Sequence, residues 1–91
     1  MVRAIQPIFS LTVGNAELNT YHSNKGEGLP KHEHVFPHLT MCHAGSISVA
    51  KQGKKITLKK EDQPVLLAEN EWHEIQALED NTVFVNVRAA L

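Results

Sequence analysis

The alternation of apolar and polar residues, with a period of two, is the feature that most constrains how this chain can fold. Turn residues recur at short intervals, as at Gly14-Asn15, Gln52-Gly53-Lys54 and Asp80-Asn81. Helix signals are weak throughout. The pattern predicts an all-β sandwich or barrel. The predicted strands cover residues 8–13, 17–23, 31–35, 38–42, 46–51, 54–59, 65–68, 73–77 and 82–87, and residues 23–30 are expected to form a long loop.

The chain has 91 residues, of which 42% are hydrophobic, and these numbers fit one compact domain spanning 1–91. A barrel this short buries a thin core, so a bound metal and a partner subunit are the expected supplements to its stability. We therefore expect a homodimer.

The formal net charge of −1 provides no field that would gather nucleic acid or anionic lipid, so neither is expected as a partner. A local excess of lysine around Gly53 predicts a solvated hairpin or edge strand, where lysine discourages aggregation. The N-terminal residues lack the apolar run of a secretory signal, and no segment approaches the ~18 apolar residues of a membrane span. Because Cys42 is the only cysteine, no intrachain disulfide can form, and we expect a cytoplasmic protein.

Four of the histidines can converge on one metal ion. On a strand, side chains at positions i and i+2 share a face, which would aim His32 and His34 at the same point. The bend expected at Pro37 would return His38 to that interior, and His73 would arrive from a distant strand. Neutral imidazole nitrogens are common metal ligands. The alternative is that these are unrelated histidines whose rings are satisfied by ordinary hydrogen bonds.

A longer stretch of this chain resembles the first conserved motif of the cupin superfamily. It consists of Gly26, five residues, His32-Glu33-His34, three residues, His38, six residues and Gly45. The family pattern has a glutamate where this chain has His38. Residues 68–73 resemble part of the second motif, although Asn70 replaces a glycine, and asparagine tolerates the positive φ that glycine would adopt. The resemblance implies a small jelly-roll β-barrel.

The sequence resembles small single-domain cupins with four histidines, some of which contain manganese. That resemblance implies that His32, His34, His38 and His73 are the ligands of one divalent transition metal ion, with Mn or Fe preferred and Ni, Cu or Zn possible. Four neutral ligands leave the charge of the ion uncompensated, so anionic ligands should be attracted. An octahedral ion would also keep open positions for a small molecule.

Four further residues are candidates for lining the pocket. Phe36 lies between the histidine pairs, Trp72 precedes His73, and Thr40 and Cys42 share the parity of His38 on one strand. Cys42 is alternatively a small buried hydrophobic residue. Glu33, Glu71 and Glu74 alternate away from the histidines, and the other acidic residues are expected to be solvated. Tyr21 is expected at the surface or an interface, with a substrate contact as the alternative.

The absence of an evident general base favours chemistry performed by the metal. We expect a metal-dependent enzyme with dioxygenase-like or enolising chemistry on a small oxygen-rich molecule. The alternatives are a non-catalytic module that binds or senses a metal or small ligand, and a purely structural barrel without metal.

Overall fold

The computed structural model describes residues 2–33 and 35–89 of the chain. In this part it contains ten β-strands and no helix, and therefore no helix that could cross a membrane. The strands are β1 Arg3–Ala4, β2 Phe9–Val13, β3 Ala16–Ser23, β4 Glu27–His32, β5 His38–Ala44, β6 Ile47–Lys51, β7 Lys54–Leu58, β8 Val65–Leu67, β9 His73–Ala77 and β10 Thr82–Ala89. The all-β prediction is confirmed.

Two five-stranded sheets form the barrel. Sheet I has the order β1-β4-β9-β6-β7, and sheet II has the order β2-β3-β10-β5-β8. Every pair of neighbouring strands is antiparallel except β1 and β4, which are parallel. The core lies between the sheets, where Ile47 and Ile75 of sheet I meet Leu67 and Phe84 of sheet II, all with no exposed surface. Burying each such side chain contributes about 1.5–3 kcal/mol.

The predicted hairpin around Gly53 is confirmed. Ile47 pairs with Leu58 and Val49 with Ile56, so both strands direct their apolar side chains at the core. The second strand, β7, is the edge of sheet I, which is where the cluster of lysines was expected to lie.

The predicted loop over residues 23–30 is wrong for its second half, because β4 begins at Glu27. A Cβ atom at Gly28 would lie 2.0 Å from the carbonyl oxygen of Ile75. The glycine is therefore present because the backbone of β9 approaches it closely, and it does not mark a turn. This long-range pairing outweighed the local turn composition.

The predicted strand over residues 31–35 is confirmed for Lys31 and His32 and is too long at its C-terminal end. Strand β4 ends at His32, and Glu33 lies beyond it. His34 lies outside the described residues.

Candidate metal centre and adjoining pocket

The imidazole rings of three histidines meet at one end of the barrel. His38 is the first residue of β5, His73 is the first residue of β9, and His32 is the last residue of β4. The ring centroids of His32 and His73 are 4.3 Å apart, and those of His38 and His73 are 5.1 Å apart. His38 is 5% exposed and His73 is fully buried.

The turn that precedes β9 positions His73. Asn70 has a φ of 60°, the left-handed conformation that the sequence allowed at this position. The carboxylate of Glu71 accepts a hydrogen bond of 3.1 Å from the amide of Ala68, which closes the turn. The next strand therefore starts with the His73 ring directed into the barrel.

Backbone carbonyls orient two of the three rings. The Nδ1 atom of His73 lies 3.0 Å from the carbonyl oxygen of Glu71, and Nδ1 of His32 lies 2.6 Å from that of Pro30. Because a carbonyl oxygen can only accept, both Nδ1 atoms carry the proton. In the neutral ring the lone pair is then on Nε2, the tautomer that carbonyl partners commonly fix in metal-ligating histidines.

Thr40 orients the third ring. Its hydroxyl donates a hydrogen bond of 2.7 Å to Oδ1 of Asn86, so the same oxygen accepts from Nδ1 of His38, 3.3 Å away. The lone pair of His38 is then also on Nε2, which lies 3.3 Å from Nε2 of His73. Two lone pairs that face each other at this distance repel, and either a proton on one of the two Nε2 atoms or a metal ion shared between them relieves the repulsion.

The separation of these two nitrogens suits a shared metal ion. Two nitrogens about 2.1 Å from one ion lie roughly 3.0–3.4 Å apart at octahedral or tetrahedral angles, which includes the 3.3 Å observed here. Within residues 2–33 and 35–89, no three or more His, Cys, Asp or Glu side chains are arranged so that they could hold a metal ion. The described residues thus supply one pair at ligand spacing and the adjacent ring of His32.

A cavity of about 280 Å³ adjoins the histidines. His32 and His38 form one end, and Leu29 and Phe36 provide apolar surface. The opposite wall consists of inward side chains of β3 and β10, which are Glu17, Asn19, Tyr21, Asn86 and Arg88. A pocket with few polar groups on one wall and apolar groups on another is typical of small-molecule sites.

Glu17 and Arg88 form an ion pair inside this wall. Nη2 and Nε of Arg88 lie 3.0 and 3.3 Å from the two carboxylate oxygens of Glu17, and the guanidinium stacks 4.2 Å from the centroid of Phe36. Both charged side chains are about 30% exposed. The expectation that Glu17 is solvated surface is therefore wrong, because β3 turns this residue towards the pocket.

Tyr21 keeps its phenolic proton in this environment. Burial raises the pKa of the Tyr21 hydroxyl above its ordinary value, although a hydrogen bond to the Asn86 side chain lowers it and the charge of Glu17 raises it further. The ring stacks on Phe84 with a centroid distance of 4.8 Å. Tyr21 therefore lies in the pocket wall and is not a surface residue as expected. This position is compatible with the alternative of a substrate contact.

The four candidate lining residues take different positions. Phe36 lines the cavity, and Thr40 lies behind His38. Cys42 belongs to the core, where burial raises the pKa of its thiol and the sulfur lies 3.3 Å from the carbonyl oxygen of Ala44. Trp72 is half-buried, with the ammonium of Lys31 4.6 Å from its ring centroid.

Sequence reasoning missed the polar wall. Glu17 and Asn19 have the parity of Tyr21 on β3, and Asn86 and Arg88 have the parity of Phe84 on β10. Large aromatic side chains are commonly buried, so Tyr21 and Phe84 indicated which side of each strand faces inward. The residues at alternate positions from them could have been predicted to line the interior.

Known structures share this architecture. The chain matches the structure of KdgF from Halomonas sp. with a TM-score of 0.80 and 16% identity over 89% of this chain and 75% of that one. It matches a cupin protein from Bacteroides fragilis with a TM-score of 0.73 and 23% identity over 86% and 68% of the two chains. A protein with a double-stranded β-helix domain from Klebsiella pneumoniae gives a TM-score of 0.74 and 20% identity over 93% and 77%.

The sequence itself matches no protein-family model, and no curated protein is a significant match. At these identities the structural likeness establishes the fold. The resemblance to cupins is confirmed at that level: the chain has the double-stranded β-helix fold of the cupin proteins.

Proposed function

We propose that this chain binds one divalent transition metal ion through His32, His38 and His73, with His34 as the fourth ligand implied by the sequence. The observation that carries the proposal is the pair of Nε2 atoms of His38 and His73, 3.3 Å apart with each Nδ1 proton engaged elsewhere. A bound cation removes the repulsion between the two lone pairs. Mn or Fe is preferred on the resemblance to four-histidine cupins, and Ni, Cu and Zn suit imidazole ligands as well.

We further propose that the pocket holds a small oxygen-rich molecule next to this centre. The cavity of about 280 Å³ is at the small end of ligand pockets. Its polar wall offers both acceptors, at Glu17 and the asparagines, and donors, at Tyr21 and Arg88. This mixture suits hydroxyl, carbonyl and carboxylate groups better than it suits an apolar ligand.

In this proposal the chain's own residues bind and orient the ligand. Tyr21 donates its retained phenolic proton to a ligand oxygen, since burial keeps that hydroxyl neutral. Arg88 is held in place by Glu17 and by stacking on Phe36, and its guanidinium has donors beyond the two in the ion pair. A bound metal of this kind supplies Lewis acidity towards ligand oxygens, which supports dioxygenase-like or enolising chemistry.

Elemental analysis of protein purified without a histidine tag tests the metal proposal. We expect close to one transition metal ion per chain in the wild type and strongly reduced metal in H38A and H73A. His43 is exposed on the same strand as His38, so H43A is the matched control and should keep its metal. Metal content that is absent from the wild type, or equal in all variants, contradicts the proposal.

Oxygen consumption and product analysis with the Mn- and Fe-loaded protein separate an enzyme from a binding module. Catechols, diketones and hydroxy acids are suitable trial compounds. Turnover that depends on His38 and falls in Y21F supports the enzyme. Binding of such a compound without turnover, measured by calorimetry, supports the non-catalytic alternative.

A further inference from the structure

A chain of hydrogen bonds runs from His38 across the inner surface of sheet II to the pocket wall. Nδ1 of His38 lies 3.3 Å from the hydroxyl of Thr40, which donates a hydrogen bond of 2.7 Å to Oδ1 of Asn86. Strand β10 lies between β3 and β5, and Asn86 pairs directly with Thr40 of β5. On the other side, Tyr21 of β3 pairs with Phe84, two residues before Asn86. Asn86 therefore connects Thr40 to Tyr21.

The hydroxyl of Thr40 fixes the orientation of the Asn86 amide. An amide side chain has an acceptor end and a donor end, and the oxygen of Asn86 already accepts from Thr40. Its NH₂ group is therefore the end that faces Tyr21. Although burial raises the pKa of Tyr21, the hydrogen bond with Asn86 lowers it. A bond donated to the phenol oxygen has this effect, because it stabilises the phenolate.

The hydroxyl proton of Tyr21 consequently has one direction left. A phenol O–H bond lies in the plane of the ring and turns away from a group that donates to the same oxygen. The ring of Tyr21 stacks on Phe84, and the residue lines the cavity together with His32 and His38. The cavity is therefore the side to which Tyr21 can donate.

The second asparagine of the wall is oriented in the same sense. Oγ of Ser10 donates a hydrogen bond of 2.6 Å to Oδ1 of Asn19, and Nδ2 of Asn19 donates one of 3.2 Å to Oε1 of Glu17. The two oxygens of Glu17 also accept from Arg88. Each acceptor of the wall thus already holds a hydrogen bond, whereas Arg88 and Tyr21 keep donors for a ligand.

We propose that Asn86 is a positioning residue that directs the hydroxyl proton of Tyr21 into the pocket, so that the ligand group beside Tyr21 is an acceptor oxygen of a carbonyl or carboxylate. The inference rests on the proposed function, because a metal ion on Nε2 of His38 keeps the proton on Nδ1 and so sets the direction of the whole chain. Each donor in such a chain polarises the next one. Metal binding at His38 should therefore strengthen the hydrogen bond that Tyr21 donates.

Raman spectroscopy of the tag-free full chain tests the direction of the hydrogen bonds. Tyr21 is the only tyrosine in the sequence, so the tyrosine Fermi doublet reports on this residue alone. The intensity ratio of the doublet is high when the phenol oxygen accepts a hydrogen bond and low when the hydroxyl donates to a strong acceptor. Spectra are recorded with and without Zn²⁺ at about pH 8, where carboxylates are ionised. We expect the wild type to show the ratio of an accepting oxygen.

Two substitutions should reverse the orientation of the Tyr21 hydroxyl. N86D keeps the shape of the side chain, but a carboxylate only accepts, so it takes the Tyr21 proton and the doublet ratio should fall. T40V removes the group that fixes the amide and should lower the ratio towards that of N86D, whereas T40S keeps a hydroxyl and should retain the wild-type ratio. Asn81 is exposed in the turn before β10, so N81D is the matched control and should leave the ratio unchanged.

A wild type with the low ratio overturns the proposal, because the Tyr21 proton is then held by a strong acceptor within the protein. Equal ratios in the wild type and N86D, or in T40V and T40S, overturn it as well. The proposed metal site can fail separately. A wild type without metal in the elemental analysis refutes that site, whereas a fall of the ratio in N86D without added Zn²⁺ still supports the role of Asn86. Normal metal content together with an unchanged ratio in N86D refutes this inference alone.

Discussion

Replacing Thr40 with valine separates the role of its hydroxyl from that of its shape. Thr40 is fully buried, and its hydroxyl donates a 2.7 Å bond to Asn86 and accepts a 3.3 Å bond from His38. Valine has nearly the same shape, so T40V loses two hydrogen bonds, one of which reaches the buried ring of His38. The expected loss in the free energy of unfolding of the metal-free protein is about 2–3 kcal/mol.

The same substitution should weaken metal binding, since Thr40 fixes the ring of a proposed ligand. Loss of such an outer hydrogen bond typically costs about 10–100-fold in metal affinity. Urea denaturation of the metal-free protein and competition with a chelating dye measure the two effects separately. The matched control is T57V, since Thr57 lies exposed on β7 and should change neither quantity by much.

Each measurement has a result that refutes part of the reasoning. If T40V is as stable as T57V, the hydrogen bonds of Thr40 do not stabilise the fold as the geometry indicates. If T40V is destabilised but binds metal as tightly as the wild type, Thr40 does not orient His38 for a metal. The first result leaves the metal proposal standing, whereas the second removes the argument built on the ring tautomer.

Two further predictions concern stability. Gly45 has a φ of 75°, and an added Cβ would lie 2.4 Å from Oγ1 of Thr82, whereas Gly53 has a φ of 79° and an added Cβ there would meet open space. Thermal unfolding should therefore show that G53A lowers the free energy of unfolding by about 1 kcal/mol and that G45A lowers it clearly more. Equal losses would show that the contact with Thr82 is relieved at little cost. Burial raises the pKa values of Cys42 and Tyr21 above their ordinary 9.0 and 10.0. In alkali the unfolded chain therefore binds fewer protons than the folded chain. The contribution of these two groups to the free energy of unfolding is complete below about pH 9 and should fall as the pH rises through the raised pKa values. Urea midpoints from about pH 8 to about pH 10.5 check this, and the fall should be shallower in Y21F; a midpoint independent of pH contradicts it.

The sequence predicted the fold well where local pattern and tertiary pairing agree. The hairpin of β6 and β7 follows from alternation around a turn at Gly53, and in the structure Ile47 pairs with Leu58 across it. The positive φ of Asn70 follows from the residue type. In both places the residues within a few positions determine the backbone conformation.

The sequence failed where distant strands decide. Strand β4 exists because β9 pairs with it, and nothing near Gly28 in the sequence indicates that partner. The histidines were recognised from their spacing, but the polar wall was not, because β3 and β10 carry apolar residues on the outer parity as well. By residue type, Leu18 and Val87 suit buried positions better than Glu17 and Arg88 do. The charged pair nevertheless faces inward, because it lines the pocket.

Strand β10 consequently serves two surfaces with alternate residues: Asn86 and Arg88 face the pocket, and Val85 and Val87 face outward. A deletion or insertion of one residue in this strand would exchange the two sets, moving a guanidinium to the outside and valine into the pocket. Substitutions can therefore diversify either surface independently, while changes of length in β10 are excluded. Among related proteins, variation in length should be confined to the turns. Their ligand preference should change through substitutions at alternate positions of β10.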